Sequence, residues 1–457
     1  MGIQRRVVKS IILFLSDVTT LYAALFLALM IRHSSLPPLW FLKLHLTPFS
    51  IIFIVWLIVF YIAGLYELRA IKNTPSFYER FAKTFLFNAA TAIAIFYLVP
   101  YFKITPRTTL FLVLVIAFIL IALERFAAQT VMATKGASRV LFFGFSKEVL
   151  ELTDFLKQNP QLGFLPTAVM TSDNEKIPKE TSLKIFSFDS RLTNIVREEG
   201  VEIIVASNEI KKDEALIQML FKIIPMGIPV VDFLSFYEAS TGKIPVSLVG
   251  EIWFLENLIG IRRPFYEFAK RAIDALLAIA ISIIVIPFIP FIILAIRFDT
   301  AGPAFYRQKR VGRHGRLIEI IKFRTMRIGA EHGSAKWADE NDSRVTKVGG
   351  FLRRSRIDEL PQLWSVFIGD LSLVGPRPER PEFVSLLEKK IPFYQMRHLV
   401  QPGLSGWAQI HFPYGSSVED ALEKLQYDLA YIKNRSIWLD LTTALKTASI
   451  VLSRAGR

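Results

Sequence analysis

Three features of the sequence predict a membrane protein of α plus α/β class. Of its 457 residues, 52% are hydrophobic and the mean hydropathy is +0.39, too apolar for an ordinary soluble protein and too long for one domain. The apolar residues concentrate in long runs in the first quarter of the chain and in one further run past its middle. Between them lie short apolar runs alternating with charged stretches, the pattern of a parallel sheet with helical crossovers.

Composition narrows the function classes. The net charge of +15 must sit outside the apolar runs, so the soluble parts are basic and suit anionic partners. With membrane attachment, phosphates and an anionic lipid surface are favoured and nucleic acid is not expected. The absence of cysteine excludes disulfides, thiolate zinc sites and thiol catalysis. His33, His45, His314, His332, His398 and His411 show no i, i+4 spacing, which argues against a histidine-built metal site. A hard cation on carboxylates stays open.

Four N-terminal stretches, Ile11 to Ile31, Phe49 to Tyr66, Phe85 to Phe102 and the shorter Thr108 to Leu123, are near the ~20 residues that cross a bilayer as helix. They predict a four-helix transmembrane domain over residues 1–137. The first stretch runs into Arg32 and His33 without a small-residue cleavage site and reads as an uncleaved anchor. Basic residues mark the N-terminus (Arg5, Arg6, Lys9), the second connection (Arg69, Lys72, Arg80, Lys83) and the exit (Arg125, Lys135, Arg139) more than the other connections (Arg32, Lys43, Lys103, Arg107). That bias predicts that the N-terminus and everything after Arg125 lie in the cytoplasm.

Residues 138–237 carry the strand-like runs RVLFFGFS, FLPTAVM, VEIIVAS and IPVVDF, with helical stretches from Glu148 to Gln158 and from Asp213 to Ile224. This predicts a cytoplasmic Rossmann-like domain. Gly144 follows the first strand, but Ser146 and Val149 stand where the dinucleotide fingerprint needs glycines, and a side chain at the second glycine blocks a pyrophosphate. The domain therefore reads as a degenerate scaffold and as a surface through which a homodimer could form.

After a linker over residues 238–264 comes the run Ala272 to Ile296, within a segment assigned to residues 265–298. Lys270 and Arg271 precede it and Arg297, Arg307, Lys309 and Arg310 follow, so both flanks belong on the cytoplasmic face. Pro287 and Pro290 lie just past its middle, where each removes a helical hydrogen bond. A re-entrant membrane helix is expected, with a kinked spanning helix as the alternative.

The last region, 299–457, is expected to hold a small α/β catalytic domain with C-terminal amphipathic helices. Between Phe305 and Arg327, eight lysines and arginines face one acidic residue, Glu319. Lys322 and Arg324 alternate with Phe323 at the end of an apolar run, as if one strand face presented two cations to a diphosphate. Further on, LRRSRIDELPQLWSVFIGDLSLVGPRPER pairs Asp358 with Glu359 beside Arg353, Arg354 and Arg356. Ser355 and Asp358 also have capping-box spacing, so the pair could cap a helix. Pro361 suits the first turn of a helix starting near Asp358, which would set the carboxylates at an anion-attracting helix end. Adjacent helical residues diverge, so the two carboxylates would have different tasks.

These motifs, YRQKRVG, KFRTM, IDELPQL, GDLSLVGPRPE and QPGLSGWAQI, resemble the bacterial sugar transferase family, the polyprenyl-phosphate hexose-1-phosphate transferases. Four spans and a degenerate nucleotide fold resemble its large monotopic phosphoglycosyl transferase members. The resemblance implies a UDP-sugar donor, a polyprenyl (undecaprenyl) phosphate acceptor and initiation of exopolysaccharide or related glycoconjugate synthesis. It also implies Asp358 as the nucleophile of a covalent phosphosugar intermediate and Glu359 as a ligand of Mg²⁺. Lys322, Arg324, Arg353 and Arg377 become the expected phosphate contacts. Pro402 and Gly403 read as loop-shaping residues. Val418 to Ile432 reads as an amphipathic helix on the core. Two other readings stay in view: a nucleotide-sugar dehydratase or epimerase, for which Tyr266 and Lys270 have suitable spacing, and a non-catalytic export scaffold.

Overall fold

The computed structural model describes residues 2–67, 74–98, 107–134, 137–172, 183–188, 192–207, 210, 213–258, 263–329, 344–412, 415 and 417–452. They divide into two compact units, Met1–Thr241 and Gly242–Arg457.

The first unit opens with four long helices, α1 (Gly2–His33), α2 (Leu39–Ile62), α3 (Pro75–Leu98) and α4 (Arg107–Thr134). Within them, Lys9–His33, Leu39–Ile62 and Arg107–Ala128 are long and apolar enough to cross a membrane. The predicted end of the third span at Phe102 lies outside the described residues, as do Arg69, Lys72, Lys103 and Lys135. Helix α4 runs past the predicted end of its span because Arg125 is not a solvated flank. Its guanidinium lies 2.6 Å from Asp17 of α1, and both side chains are buried. Pairing removes most of the cost of a charge in this setting. Aromatic rings including Phe49, Phe53, Trp56 and Phe85 fill the bundle.

The unit continues with β1 (Ser138–Phe143), α5 (Lys147–Gln158), β2 (Phe164–Thr171), β3 (Lys184–Ser187), α6 (Leu192–Glu198), β4 (Ile203–Ala206), α7 (Glu214–Phe221), β5 (Val230–Asp232) and α8 (Phe233–Thr241). The strands form one parallel sheet of order β3-β2-β1-β4-β5, a doubly wound arrangement whose order reverses beside β1. Four strands and two helices fall where the hydrophobic pattern puts them. Strand β3 escaped it because only Phe186 of this four-residue edge strand packs on the core, which is too little to make an apolar pattern. Gly144 adopts φ +103°, and a Cβ there would come 2.9 Å from Ser207 and 3.3 Å from Ile210. The glycine is needed for packing at the mouth of the sheet, where those two side chains take up the space.

In the second unit the predicted linker is largely helical. Residues 238–241 complete α8 in the first unit, and α9 (Glu251–Leu258) packs Phe254 on Phe393. The helical segment Pro264–Asp299 is long and apolar enough to cross a membrane. Its α ladder stops at Val285, a 3₁₀ turn holds Ile286–Phe288, and the ladder restarts at Ile289, giving α10 (Pro264–Val285) and α11 (Ile289–Asp299). Pro287 and Pro290 supply that interruption, as a missing amide at each requires. Both halves pack on the same small domain: Ala278 of α10 joins Ile320, Leu363 and Val366, while Ile296 of α11 joins Phe323 and Leu352.

That domain contains an antiparallel hairpin of β6 (Phe305–Val311) and β7 (Leu317–Phe323), then α12 (Lys347–Arg354), a 3₁₀ turn over Ile357–Gln362 and α13 (Leu363–Ile368). Next come β8 (Ser372–Val374), α14 (Pro381–Lys390), β9 (Gly403–Ser405), which pairs parallel with β8, and α15 (Trp407–His411), α16 (Val418–Asn434) and α17 (Ile437–Leu452). Helix α16 buries Leu425, Leu429 and Ile432, so its apolar stripe is core. Helix α17 leaves Trp438 exposed.

Candidate active site

The carboxylate pair sits in the 3₁₀ turn rather than at the start of an α-helix. Ser355 does not complete a capping box: its hydroxyl donates back to the carbonyls of Phe351 at 2.8 Å and Leu352 at 3.2 Å. Arg356 opens the turn in left-handed backbone, φ +57°, a conformation costly for a residue with a Cβ. Three residues per turn set neighbours about 120° apart, so Asp358 and Glu359 diverge, as helix geometry requires in kind. Both are buried, at 8% and 7% exposure.

Glu359 gathers three cations. Its Oε1 lies 2.6 Å from Arg377 and 3.1 Å from Lys322, and its Oε2 lies 3.5 Å from Arg356. Burial alone would raise the Glu359 pKa, but Arg377, Lys322 and Arg356 outweigh it and hold the group well below the usual carboxylate range. Burial, with the charge on Glu359, pushes Asp358 up to about 6 against the pull of Lys322, Arg377 and Arg356. At neutral pH the carboxylate form of Asp358 still prevails. Its Oδ1 is buried with no hydrogen-bond partner among the described residues.

The loop presenting Arg377 is held by close backbone packing. Gly375 donates to the Ser405 carbonyl at 2.8 Å and Gly403 to the Pro376 carbonyl at 2.9 Å. A Cβ on Gly403 would come 2.1 Å from the Gly375 nitrogen, so QPGLSG acts through its backbone; Gly403 opens strand β9 rather than shaping a loop, because its pairing with β8 takes up the backbone. Beneath the loop, Arg397 donates to the Arg377 carbonyl at 3.0 Å and pairs with buried Asp428 at 2.8 Å. No sequence signal marked Arg397 or Asp428, because the two contacts that set them beneath the loop join residues 20 or more positions apart.

Of the four expected phosphate contacts, the structure brings Lys322 and Arg377 to the pair. Arg324 is turned away from it. Strand β7 ends at Phe323, so the alternation that would put Arg324 beside Lys322 is broken; its guanidinium donates to the carbonyls of Thr300 at 2.6 Å and Ala301 at 2.9 Å. It thereby ties β7 to the chain leaving α11. Arg353 donates to the Thr325 hydroxyl at 2.9 Å. Arg356 was not singled out for substrate, although it stands three residues before Glu359. Tyr266 and Lys270 have a structural role: both bond the Asp440 carboxylate, at 2.7 and 2.8 Å, and Tyr431 donates to its other oxygen at 2.7 Å. That hub anchors α10 to α16 and α17, away from dehydratase chemistry.

Among the described residues no cluster of three or more histidine, cysteine or acidic side chains could hold a metal unaided. Asp358 and Glu359 therefore fit Mg²⁺ only as one or two carboxylates completed by substrate oxygens, a common arrangement for this ion. Next to the pair, Leu360, Pro361 and Trp364 face Ala278, Ile283 and Ile286 of α10 and its turn across an apolar groove of about 440 Å³.

The sequence model for bacterial sugar transferases matches residues 265–454, spanning the groove and the site. A UDP-N-acetylgalactosamine-undecaprenyl-phosphate N-acetylgalactosaminephosphotransferase of Aeromonas hydrophila is 39% identical over 50% of this chain and 53% of its own length. A UDP-glucose:undecaprenyl-phosphate glucose-1-phosphate transferase of Xanthomonas campestris pv. campestris is 31% identical over 69% of this chain and 67% of its own. The enzyme of that same name from Escherichia coli K12 is 41% identical over 39% of each chain. The matched region thus spans about half of the Aeromonas protein and two thirds of the Xanthomonas protein. With the site and the segment that borders it both inside the matched region, the chain is a member of the bacterial sugar transferase family.

Proposed function

We propose that the protein transfers a sugar 1-phosphate from a UDP-sugar to undecaprenyl phosphate at the cytoplasmic face of the bacterial inner membrane. One observation carries the reading: a buried carboxylate pair in which Glu359 is neutralised by three cations while Asp358 keeps an unpartnered oxygen beside an apolar groove.

In this mechanism the diphosphate lies against Lys322 and Arg377, whose charges offset its repulsion of a carboxylate nucleophile. Asp358 attacks the β-phosphorus; a carboxylate O–P bond forms, the P–O bond to the α-phosphate breaks, and UMP leaves. An oxygen of undecaprenyl phosphate then attacks the same phosphorus. The O–P bond to Asp358 breaks, releasing the lipid diphosphosugar and restoring the carboxylate. Mg²⁺, held by Glu359 and substrate oxygens, would supply Lewis-acid neutralisation of the diphosphate. The groove beside Trp364 suits the first isoprene units of the acceptor.

Packing of both α10 and α11 on one domain supports re-entry, because a straight helix of 36 residues at 1.5 Å per residue is roughly 54 Å long. Its far end would leave the domain behind. The doubly wound sheet supports a Rossmann-like scaffold in the first unit, and Ser207 packed at Gly144 weighs against a pyrophosphate approaching the backbone there. Purified protein supplied with Mg²⁺, undecaprenyl phosphate and a panel of UDP-sugars should release UMP with at least one sugar. Absence of UMP release across the panel would overturn the assignment.

A further inference from the structure

In the free protein Glu359 is a buried anion with a ring of cations around it. Its side chain is 9% exposed, whereas those of Arg356 and Arg377 are each 36% exposed and that of Lys322 is 18% exposed. The guanidiniums therefore reach from a buried carboxylate toward solvent, where a ligand can meet them. Arg356 does so from left-handed backbone, φ +57°, which glycine or asparagine would adopt at lower cost. Formal charge defines what can enter. Two carboxylates, Asp358 and Glu359, against Lys322, Arg356 and Arg377 leave the cluster one positive. A divalent cation alone would raise that to three positive in a partly desolvated site, which is strongly unfavourable. A sugar-nucleotide diphosphate, with two negative charges, lowers it to one negative and makes room for the metal.

We infer that Glu359 stands in for the substrate diphosphate in the free protein, and that Arg356 is a third diphosphate-binding residue beside Lys322 and Arg377. Binding of the nucleotide transfers the cations from Glu359 to phosphate oxygens, and only then is Glu359 released to meet a metal. Metal ion thus binds with the nucleotide and not before it. No bond is made or broken in this exchange; only ion pairs change partners. The inference rests on the transferase reading and deepens it.

Binding measurements on the full chain in detergent test it without turnover. Arg356→Gly and Arg356→Asn keep the left-handed backbone accessible while removing the guanidinium, so both should fold with unchanged or higher melting temperature. Each should weaken UDP binding by calorimetry about tenfold, the scale of one charge-assisted bond, and leave uridine binding unaffected. Glu359→Gln removes the competing anion and should tighten metal-free UDP binding. Mn²⁺, followed by its free-ion spin resonance, should bind at least tenfold more tightly with UDP than without. Equal UDP affinity in the parent and both Arg356 variants would overturn the cradle alone. So would weaker metal-free binding in Glu359→Gln, or Mn²⁺ binding indifferent to UDP. If the parent bound no UDP at all, the transferase reading would fall and take the cradle with it.

Discussion

At the scale of single residues, burial decides which charges in the second unit can act. Glu359 stays anionic because three cations surround it, whereas His398 is half-buried beside a cation, Arg397, and against the Tyr394 ring. Burial first, then the Arg397 charge, lowers its pKa from 6.5 to about 4, and its Nε2 has no hydrogen-bond partner among the described residues. A base whose folded pKa is depressed stabilises the fold above its ordinary pKa and loses that contribution as pH falls through the folded value. The second unit should therefore lose stability between pH 6.5 and 4, by up to roughly 3 kcal/mol given the shift. His398→Phe should flatten that loss in melting curves taken across the window; an unchanged slope would remove His398 as its source. At this scale the sequence was most informative where chemistry is local. Asp358, Glu359, Lys322 and Arg377 come together as their residue types suggest, while Arg324 diverges because a strand ends one residue early. Arg356 reaches Glu359 through a positive φ that no neighbouring glycine announces.

At the scale of elements, the site depends on backbone approaches as much as on side chains. The β8–β9 pair brings Gly375 and Gly403 too close for any Cβ between them, and that contact fixes the loop carrying Arg377. Gly403→Ala forces the two strands apart, so it should destabilise the second unit by on the order of 2 kcal/mol or more. It should also lower turnover beyond what the stability loss explains, measured at a temperature where the variant remains folded. Parent-like turnover and melting would show that the loop tolerates the shift. Element boundaries were legible where periodicity is strong, as in α5, α16 and the strands β1, β2, β4 and β5. They were missed where a partner distant in sequence rewrites the rule. Arg125 extends α4 because Asp17 neutralises it, and the supposed linker becomes α9 because Phe254 finds Phe393.

At the scale of the whole molecule, the proposed transfer requires Asp358 to meet a soluble nucleotide-sugar and a lipid phosphate on one membrane face. The chain has no native cysteine, so single cysteines placed at Phe265 and at Arg307, on either side of the apolar run Ala272 to Ile296 and both exposed, report topology cleanly. An impermeant maleimide should label both from the cytoplasmic side in inverted vesicles and neither in intact spheroplasts; labelling from opposite faces would establish a spanning helix. The central claim is that phosphorus passes through Asp358. Full-length protein incubated with Mg²⁺ and a UDP-sugar labelled in its β-phosphate, without acceptor, should release UMP and retain label on protein in equal amounts. Added undecaprenyl phosphate should then discharge that label, and Asp358→Asn should retain none. Label persisting in Asp358→Asn, or lipid product formed by a parent protein that never carries label, would contradict the account.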